Sequence, residues 1–459
     1  MAIKVLFCAS EIRPFAETGG LADVAASLPK ALGKLGVEVV AVMPRYAGIH
    51  ESKSALSENV PVYFIENDEY FNRHGLYGDE RGDYPDNLQR FAFFCEKAFS
   101  LAKELGFKPD IVHAHDWHTA LMPVMLKTSL KDDPFFKGTK SLLTIHNLVY
   151  QGVFADSLYP LLKLGDEQSL REDFEFYGRI NLLKAGILHA DALTAVSPTY
   201  AREIQTREAG AGLEAVVQKR ASRLKGILNG IDTDFWNPGN DPWIEKRFGG
   251  ESLSGRDACK LALQKASGLR EDLKIPVYAM VTRLVEQKGL DLFIGIAKKF
   301  LKKKAQFLLL GQGDEKYHEA FKNIHKEFPN NTFVHIGFEK KIAHTFYAGS
   351  DFFIMPSHFE PCGLGQLVAL RYGALPIVRD TGGLSDTITD VDQNSVNGNG
   401  FVFKNFKSGD LFKALERSLQ AFDDPERFLA LRRRAMEYDF SWEKSAEKYK
   451  HYYEEIMTL

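Results

Sequence analysis

The sequence has 459 residues, too many for one ordinary hydrophobic core, so two large domains are expected. Hydrophobic residues make up 45% and charged residues 26%, the balance of a soluble globular protein. Lys+Arg 58 against Asp+Glu 61 leaves a formal net charge of −3, which argues against a nucleic-acid or membrane-surface binder; an anionic ligand has to be met by a few placed cations. Cys8, Cys95, Cys259 and Cys362 are far apart, with no CxxC pair, as expected of reduced thiols in the cytosol. Met1-Ala2 runs straight into an apolar strand, which leaves no room for a cleavable leader, and no apolar run approaches the roughly 18 residues of a membrane span, so a cytoplasmic protein is expected.

Ile3–Cys8 reads as a strand whose mostly apolar run suits a sheet covered on both faces. After Thr18-Gly19-Gly20, residues Leu21, Val24, Ala25, Leu28, Leu32 and Leu35 recur at three- and four-residue steps, one face of a helix that Gly36 ends. Val37–Val42 follows, completing a βαβ unit. Asp110–Ala114, Ser141–Ile145 and Ala192–Val196 are further buried strands. A second series comprises Val277–Thr282, Gln306–Leu310, Phe333–Ile336, Phe352–Met355 and Leu375–Val378. Between the series, Asn237-Pro238-Gly239-Asn240-Asp241-Pro242 is dense in turn formers and reads as the linker. The expected architecture is α/β, two doubly wound Rossmann-like domains facing across a cleft: residues 1–238, residues 239–435, and a C-terminal helix in 436–459 packing back on the first domain. Ligands of such sheets bind beyond the carboxyl ends of the strands, so the strand-to-helix turns hold the candidate chemistry.

In the amino-terminal half, Thr18-Gly19-Gly20-Leu21-Ala22-Asp23 opens a helix whose amides attract anions, and it fits a tight turn equally well. His113-Ala114-His115-Asp116-Trp117-His118 ends a strand, and alternation puts His113 and His115 on one face. Core or capping histidines are one reading and a metal site another, but no carboxylate or cysteine constellation completes a shell, so no metal is expected. Thr144-Ile145-His146-Asn147 leaves a strand with polar groups in sequence, as a sugar-binding turn would. Asp86-Asn87 is compatible with a simple turn.

In the carboxyl-terminal half, Thr282-Arg283-Leu284-Val285-Glu286-Gln287-Lys288-Gly289 presents two cations five apart at a strand end, as a diphosphate site or a solvated loop. Gly311-Gln312-Gly313-Asp314 lacks the third glycine of a dinucleotide fingerprint, which disfavours an oxidoreductase. Phe359-Glu360-Pro361-Cys362-Gly363-Leu364 places a carboxylate at a helix start, where it gives up solvation to approach backbone amides.

Together the Thr-Gly-Gly-Leu-Ala-Asp, His-Asp-Trp-His, Thr-Ile-His-Asn-Leu, Thr-Arg-Leu-x-x-Gln-Lys-Gly and Phe-Glu-Pro-Cys-Gly-Leu strings resemble, in order and spacing from about residue 5 to about residue 450, the bacterial glycogen synthase and plant starch synthase family. The resemblance implies a GT-B fold and transfer of glucose from ADP-glucose to the non-reducing end of an α-1,4-glucan, with retention and with neither metal nor cofactor. It implies that Arg283 and Lys288 hold the donor's diphosphate and that Glu360 grips the glucose. Cys362, Gly363, Leu364 and Thr381 would lie near the sugar and phosphates, with Gly19 and Gly20 at the donor. It further implies an acceptor side with His115 and Asp86 near the reacting carbon, Asn147 nearby, and Asp23 supporting the glycine loop. No second carboxylate offers itself as a nucleophile, so a double displacement is not expected. A rival of the same fold would make a sucrose-like or trehalose-like product, and a rival of another class would be an inactive glucan-binding scaffold; the His-Asp-Trp-His string argues against the first, and the joint presence of His115, Arg283, Lys288 and Glu360 against the second. One position departs from the family pattern. Glu17 stands where a lysine usually precedes Thr-Gly-Gly, and Arg13 is the expected compensating cation, with Glu17 pairing with it or touching sugar hydroxyls.

Overall fold

The computed structural model describes residues 2–165, 167–249 and 252–459. The chain forms two compact units, one running to Gly230 and regaining Trp442–Leu459, the other spanning Ile231–Ser441.

The first unit is built on an eight-stranded sheet of β1 (Lys4–Cys8), β2 (Glu38–Pro44), β3 (Lys53–Ser57), β4 (Val60–Ile65), β5 (Ile111–His115), β6 (Lys140–Ile145), β7 (Ala192–Ala195) and β8 (Leu224–Gly226). Their order is β8-β7-β6-β5-β1-β2-β4-β3, parallel except for β3 at the edge. The inner strands are almost wholly buried because helices cover both faces, whereas β3 alternates exposed and half-buried residues as an edge strand does. Its polar composition hides it from a search for apolar runs. The helix Gly20–Lys34 buries Leu21, Val24, Ala25, Leu28 and Leu32 as their spacing predicts, and Gly36 turns the chain at φ +80°. The C-terminal helix Trp442–Met457 buries Trp442, Ala446, Tyr449, Tyr453 and Ile456, packs along the helix Gly20–Lys34, and is pinned there by an ion pair of Lys34 with Glu443 at 2.7 Å.

In the second unit, β9 (Val277–Val281), β10 (Gln306–Gly311), β11 (Thr332–Ile336), β12 (Phe352–Met355), β13 (Leu375–Arg379) and β14 (Phe401–Phe403) form one parallel sheet in the order β11-β10-β9-β12-β13-β14. Successive strand residues enter opposite cores: Tyr278, Met280, Phe307 and Leu309 lie in one, Val277, Ala279, Leu308 and Leu310 in the other.

The expected linker is corrected. Asn237–Pro242 lies inside the second unit, where the buried Asp241 carboxylate accepts hydrogen bonds at 2.6 Å from Tyr372 and pairs at 2.6 Å with His344 Nδ1. Its turn formers shape a packed loop. The division falls instead at Gly230/Ile231 and Ser441/Trp442, and Ile231 donates to the Phe440 carbonyl at 2.9 Å, so the chain enters and leaves the second unit side by side. Among the described residues no helix is long and apolar enough to cross a membrane. All four cysteines are free and buried.

Candidate active site

In each sheet the candidate residues stand where the strand order reverses direction, the place at which loops diverge and leave a crevice. In the first unit this point lies between β1 and β5. Leaving β1, the buried Glu11 ties down the glycine loop: its carboxylate accepts from the Thr18 amide at 2.5 Å, from Thr18 Oγ1 at 2.8 Å and from the Tyr77 hydroxyl at 2.8 Å. Burial raises the Glu11 pKa, and these hydrogen bonds partly offset that. Nothing lies within 4 Å of a side chain added at Gly19 or Gly20, so their backbone faces open space. Arg13 pairs with Asp23 at 2.8 Å, clamping the loop to the first turn of its helix; Glu17 is exposed on the same loop.

Beyond β5 the chain turns through Asp116 at φ +54°, a conformation that costs a non-glycine residue and persists only where its surroundings impose it. What imposes it is the next loop: Asp116 Oδ1 accepts from the His146 amide at 2.7 Å, joining the His-Asp-Trp-His turn to the loop after β6. Burial pushes the Asp116 carboxyl up to about 7 against hydrogen bonds from the amides of His146 and Asn147. The His115 ring is fully buried, 4.1 Å from His113 and 4.2 Å from Phe7 between centroids, with Nδ1 2.9 Å from His146 Nε2. Burial, then His113 and His146, hold its pKa well below the ordinary value, and burial brings His146 down to about 3. Phe7 and His113 cover His115, as in the core-histidine reading, and its Nε2 lacks a hydrogen-bond partner among the described residues. Asn147 is half-buried and its Oδ1 accepts from the Val149 amide at 3.2 Å in a turn.

Asp86 stands somewhat apart, at the start of the helix Asn87–Glu104. Both its oxygens receive the Arg73 guanidinium, at 2.8 and 2.6 Å. Burial alone would raise its pKa, but Arg73 outweighs it and the carboxyl is held below its ordinary value. Asn87 donates to the Tyr77 carbonyl at 2.9 Å, which links this helix to Glu11.

The second unit's reversal lies between β9 and β12, and the loops leaving these strands lock together. His358 donates to the Gln287 carbonyl at 2.8 Å, and a side chain at Gly289 would lie 2.0 Å from the Pro356 carbonyl oxygen. Lys288 Nζ is 2.7 Å from Glu360 Oε2, which also accepts from Ser357 at 2.9 Å; the two charged side chains are 15% and 7% exposed. Arg283 is exposed, and no hydrogen bond or ion pair of its guanidinium occurs among the described residues. Gly311-Gln312-Gly313-Asp314 braces this loop: Leu284 donates to the Gln312 carbonyl and Asp314 to that of Leu284, both at 2.8 Å, and side chains at Gly311 or Gly313 would strike the Thr282 or Leu284 carbonyl. Its glycines thus serve loop packing.

From the β13 side, Thr381 is buried at the start of the helix Gly382–Thr387, and the Gly383 amide donates to the Glu360 carbonyl at 3.0 Å. Gly382 at φ +45° would carry a side chain 2.0 Å from that same carbonyl, and Gly363 at φ +73° one 2.6 Å from Gln366 Oε1. The Gln366 amide in turn donates to the Cys362 and Gly363 carbonyls at 3.1 and 3.0 Å, while Leu364 begins the following helix half-buried. Arg283, Lys288, Glu360, Cys362, Gly363, Leu364 and Thr381 are thus gathered at one reversal point. Sequence reasoning missed Glu11, Tyr77, Arg73 and Ser357. Glu11 could have been found as a carboxylate just past a strand's carboxyl end; Tyr77 and Arg73 reach the site only through folding. Among the described residues no group of three or more His, Cys, Asp or Glu side chains is placed to hold a metal ion.

Residues 4–219 match the starch synthase catalytic domain family, and residues 264–434 the glycosyl transferases group 1 family. A glycogen synthase of Geotalea uraniireducens is 44% identical over 475 residues, covering 98% of each chain. The solved catalytic domain of starch synthase IV from Arabidopsis thaliana, bound to ADP and acarbose, superimposes with a TM-score of 0.90 at 34% identity, covering 100% of both chains. A sucrose-phosphate synthase from Thermosynechococcus elongatus, 16% identical with a TM-score of 0.65 and 99% of each chain covered, shares the fold alone. With two Rossmann-like domains of the GT-B class and whole-length likeness to these enzymes, the chain belongs to the glycogen synthase and starch synthase family of hexosyltransferases.

Proposed function

We propose that the protein is a glycogen synthase that transfers glucose from ADP-glucose to the non-reducing end of an α-1,4-glucan with retention of configuration, in the cytoplasm and without metal or cofactor. The observation that carries this reading is the reversal point of the second sheet, where Lys288 pairs with Glu360 and Arg283 stands exposed on the same loop as Lys288, in a family with a solved member bound to ADP. Breaking a glycosyl–phosphate bond leaves negative charge on the departing diphosphate and positive charge on the sugar. Fixed cations stabilise the first without reorganising during the reaction. Lys288 is preorganised by Glu360, and Arg283 is left available for a ligand. Glu360, held by Lys288 and Ser357, turns a carboxylate toward sugar hydroxyls.

The histidines of the first unit suit the other half of the problem. Burial keeps His115 neutral, so it offers a hydrogen bond without placing a cation beside an oxocarbenium-like sugar. With no second carboxylate assigned as nucleophile, the reading is front-face transfer in which the leaving phosphate takes the acceptor hydroxyl proton. Asp86, Asp23 and Asn147 belong to the acceptor side, and Gly19 and Gly20 give the donor close access to backbone. Incubation with labelled ADP-glucose or UDP-glucose and glycogen, with and without EDTA, tests the proposal: incorporation from ADP-glucose that survives chelation is expected. Preference for UDP-glucose, or activity abolished by EDTA and restored by Mg²⁺, would overturn the donor or the metal-free chemistry respectively.

A further inference from the structure

Tyr453, on the C-terminal helix, is fully buried, and its hydroxyl lies 2.8 Å from His113 Nδ1. At the far side of that imidazole, Nε2 is 2.7 Å from Thr144 Oγ1, which is 2.6 Å from Thr194 Oγ1. Every member of this row is completely buried, so each donor needs its acceptor. A neutral imidazole donates at one nitrogen and accepts at the other. The imidazole is gripped at both ends, by the Tyr453 hydroxyl at Nδ1 and by Thr144 at Nε2, so the tautomer of His113 and the sense of every hydroxyl in the row are set together.

The fixed His113 ring packs against His115 at 4.1 Å between centroids, with Phe7 at 4.2 Å. His115 in turn meets His146 through Nδ1, and its Nε2 lacks a partner among the described residues. We infer that Tyr453 is a positioning residue for glucosyl transfer: from the C-terminal helix its hydroxyl fixes the tautomer and orientation of His113, and thereby the place of the His115 imidazole. This rests on the reading that His115 serves the reaction.

The neighbouring Tyr452 supplies the control. It is a buried tyrosine on the same helix, but its hydroxyl donates to the Arg223 carbonyl at 2.7 Å and, among the described residues, touches no histidine. In the full-length enzyme, Tyr453→Phe and Tyr452→Phe each delete one buried hydroxyl, so both should lower the melting temperature to a similar extent. Only Tyr453→Phe should lower kcat, by about tenfold or more as misplaced catalytic groups do, with donor KM within about twofold. The ¹⁵N spectra of histidine-labelled enzyme should show an altered tautomer at His113 for Tyr453→Phe and not for Tyr452→Phe. Thr144→Val, which removes the acceptor at the other end of the row, should reproduce both the kinetic and the spectral change, and decides the matter should Tyr453→Phe fail to fold. Equal kcat for the two tyrosine variants, or an unchanged His113 signal, would overturn the inference while leaving His115 in place. His115→Ala with wild-type turnover would remove the reading beneath it as well.

Discussion

Lys288 has one task that its ion pair shows and one that the proposed function gives it, and a pair of substitutions separates them. Its ammonium neutralises the Glu360 carboxylate at 2.7 Å in surroundings that leave the two side chains 15% and 7% exposed, and it is assigned to the donor's diphosphate. Lys288→Ala leaves Glu360 buried with only Ser357 as a donor among its recorded partners. Removing one partner of a buried pair costs about 3 kcal/mol, because the remaining charge is uncompensated. For a domain of this size that lowers the melting transition of the second unit by roughly 6–12 °C. Glu360→Gln in the same chain removes the orphaned charge and keeps a group able to accept from Ser357. The double variant should therefore recover most of the lost stability, with a coupling of the sign expected for interacting neighbours. Activity should not return, because one cation facing the diphosphate is worth about 3 kcal/mol of barrier, roughly a hundredfold in kcat. Calorimetry and initial rates with saturating glycogen read the two quantities independently. A Lys288→Ala enzyme melting with the wild type and turning over within a few-fold of it would refute the argument, as would a double variant no more stable than the single one.

Arg283 gives the complementary case: it is exposed and unpaired among the described residues, so Arg283→Ala should leave the melting temperature unchanged while kcat falls about a hundredfold, and a variant that is destabilised instead would assign the guanidinium to the fold. Asp116 carries a raised pKa of about 7 against an ordinary 3.8, so its contribution to stability is complete below pH 3.8 and is lost as pH rises through about 7. Asp116→Asn keeps an acceptor for the His146 amide and tolerates positive φ, so melting temperatures measured from pH 4 to 8 should decline less steeply than in wild type; parallel profiles would contradict the assignment. Arg13→Ala should break its ion pair with Asp23 and loosen the glycine loop, raising the donor KM, whereas Glu17→Lys should lower it by replacing a repulsion with an attraction; unchanged KM in both would show that this loop does not meet the phosphates.

The ten strands read as mostly apolar runs all form, within a residue or two of their expected ends, because a strand covered on both faces is built largely from apolar residues and admits a polar one only where it finds a buried partner. The 3.6-residue period of Gly20–Lys34 and of Trp442–Met457 is likewise local information, set by which face each helix buries. The motifs in the turns after β1, β5, β9 and β12 were visible for a related reason: a strand end followed by glycines, cations or a carboxylate breaks the pattern of a chain that otherwise obeys it. Strand order was not visible. Only the assembled sheet puts β9 beside β12, and so brings Lys288 within 2.7 Å of a carboxylate 72 residues away. Turn formers at Asn237–Pro242 mimicked a linker because local sequence does not distinguish an exposed turn from one packed around Asp241, and the true division at Gly230/Ile231 depends on which residues touch. Glu11, Tyr77 and the row from Tyr453 through His113 escaped for the same physical reason. A polar side chain's partner is decided by distance in space, over separations of 66 residues for Glu11 with Tyr77 and 340 for His113 with Tyr453, and no periodicity along the chain records it.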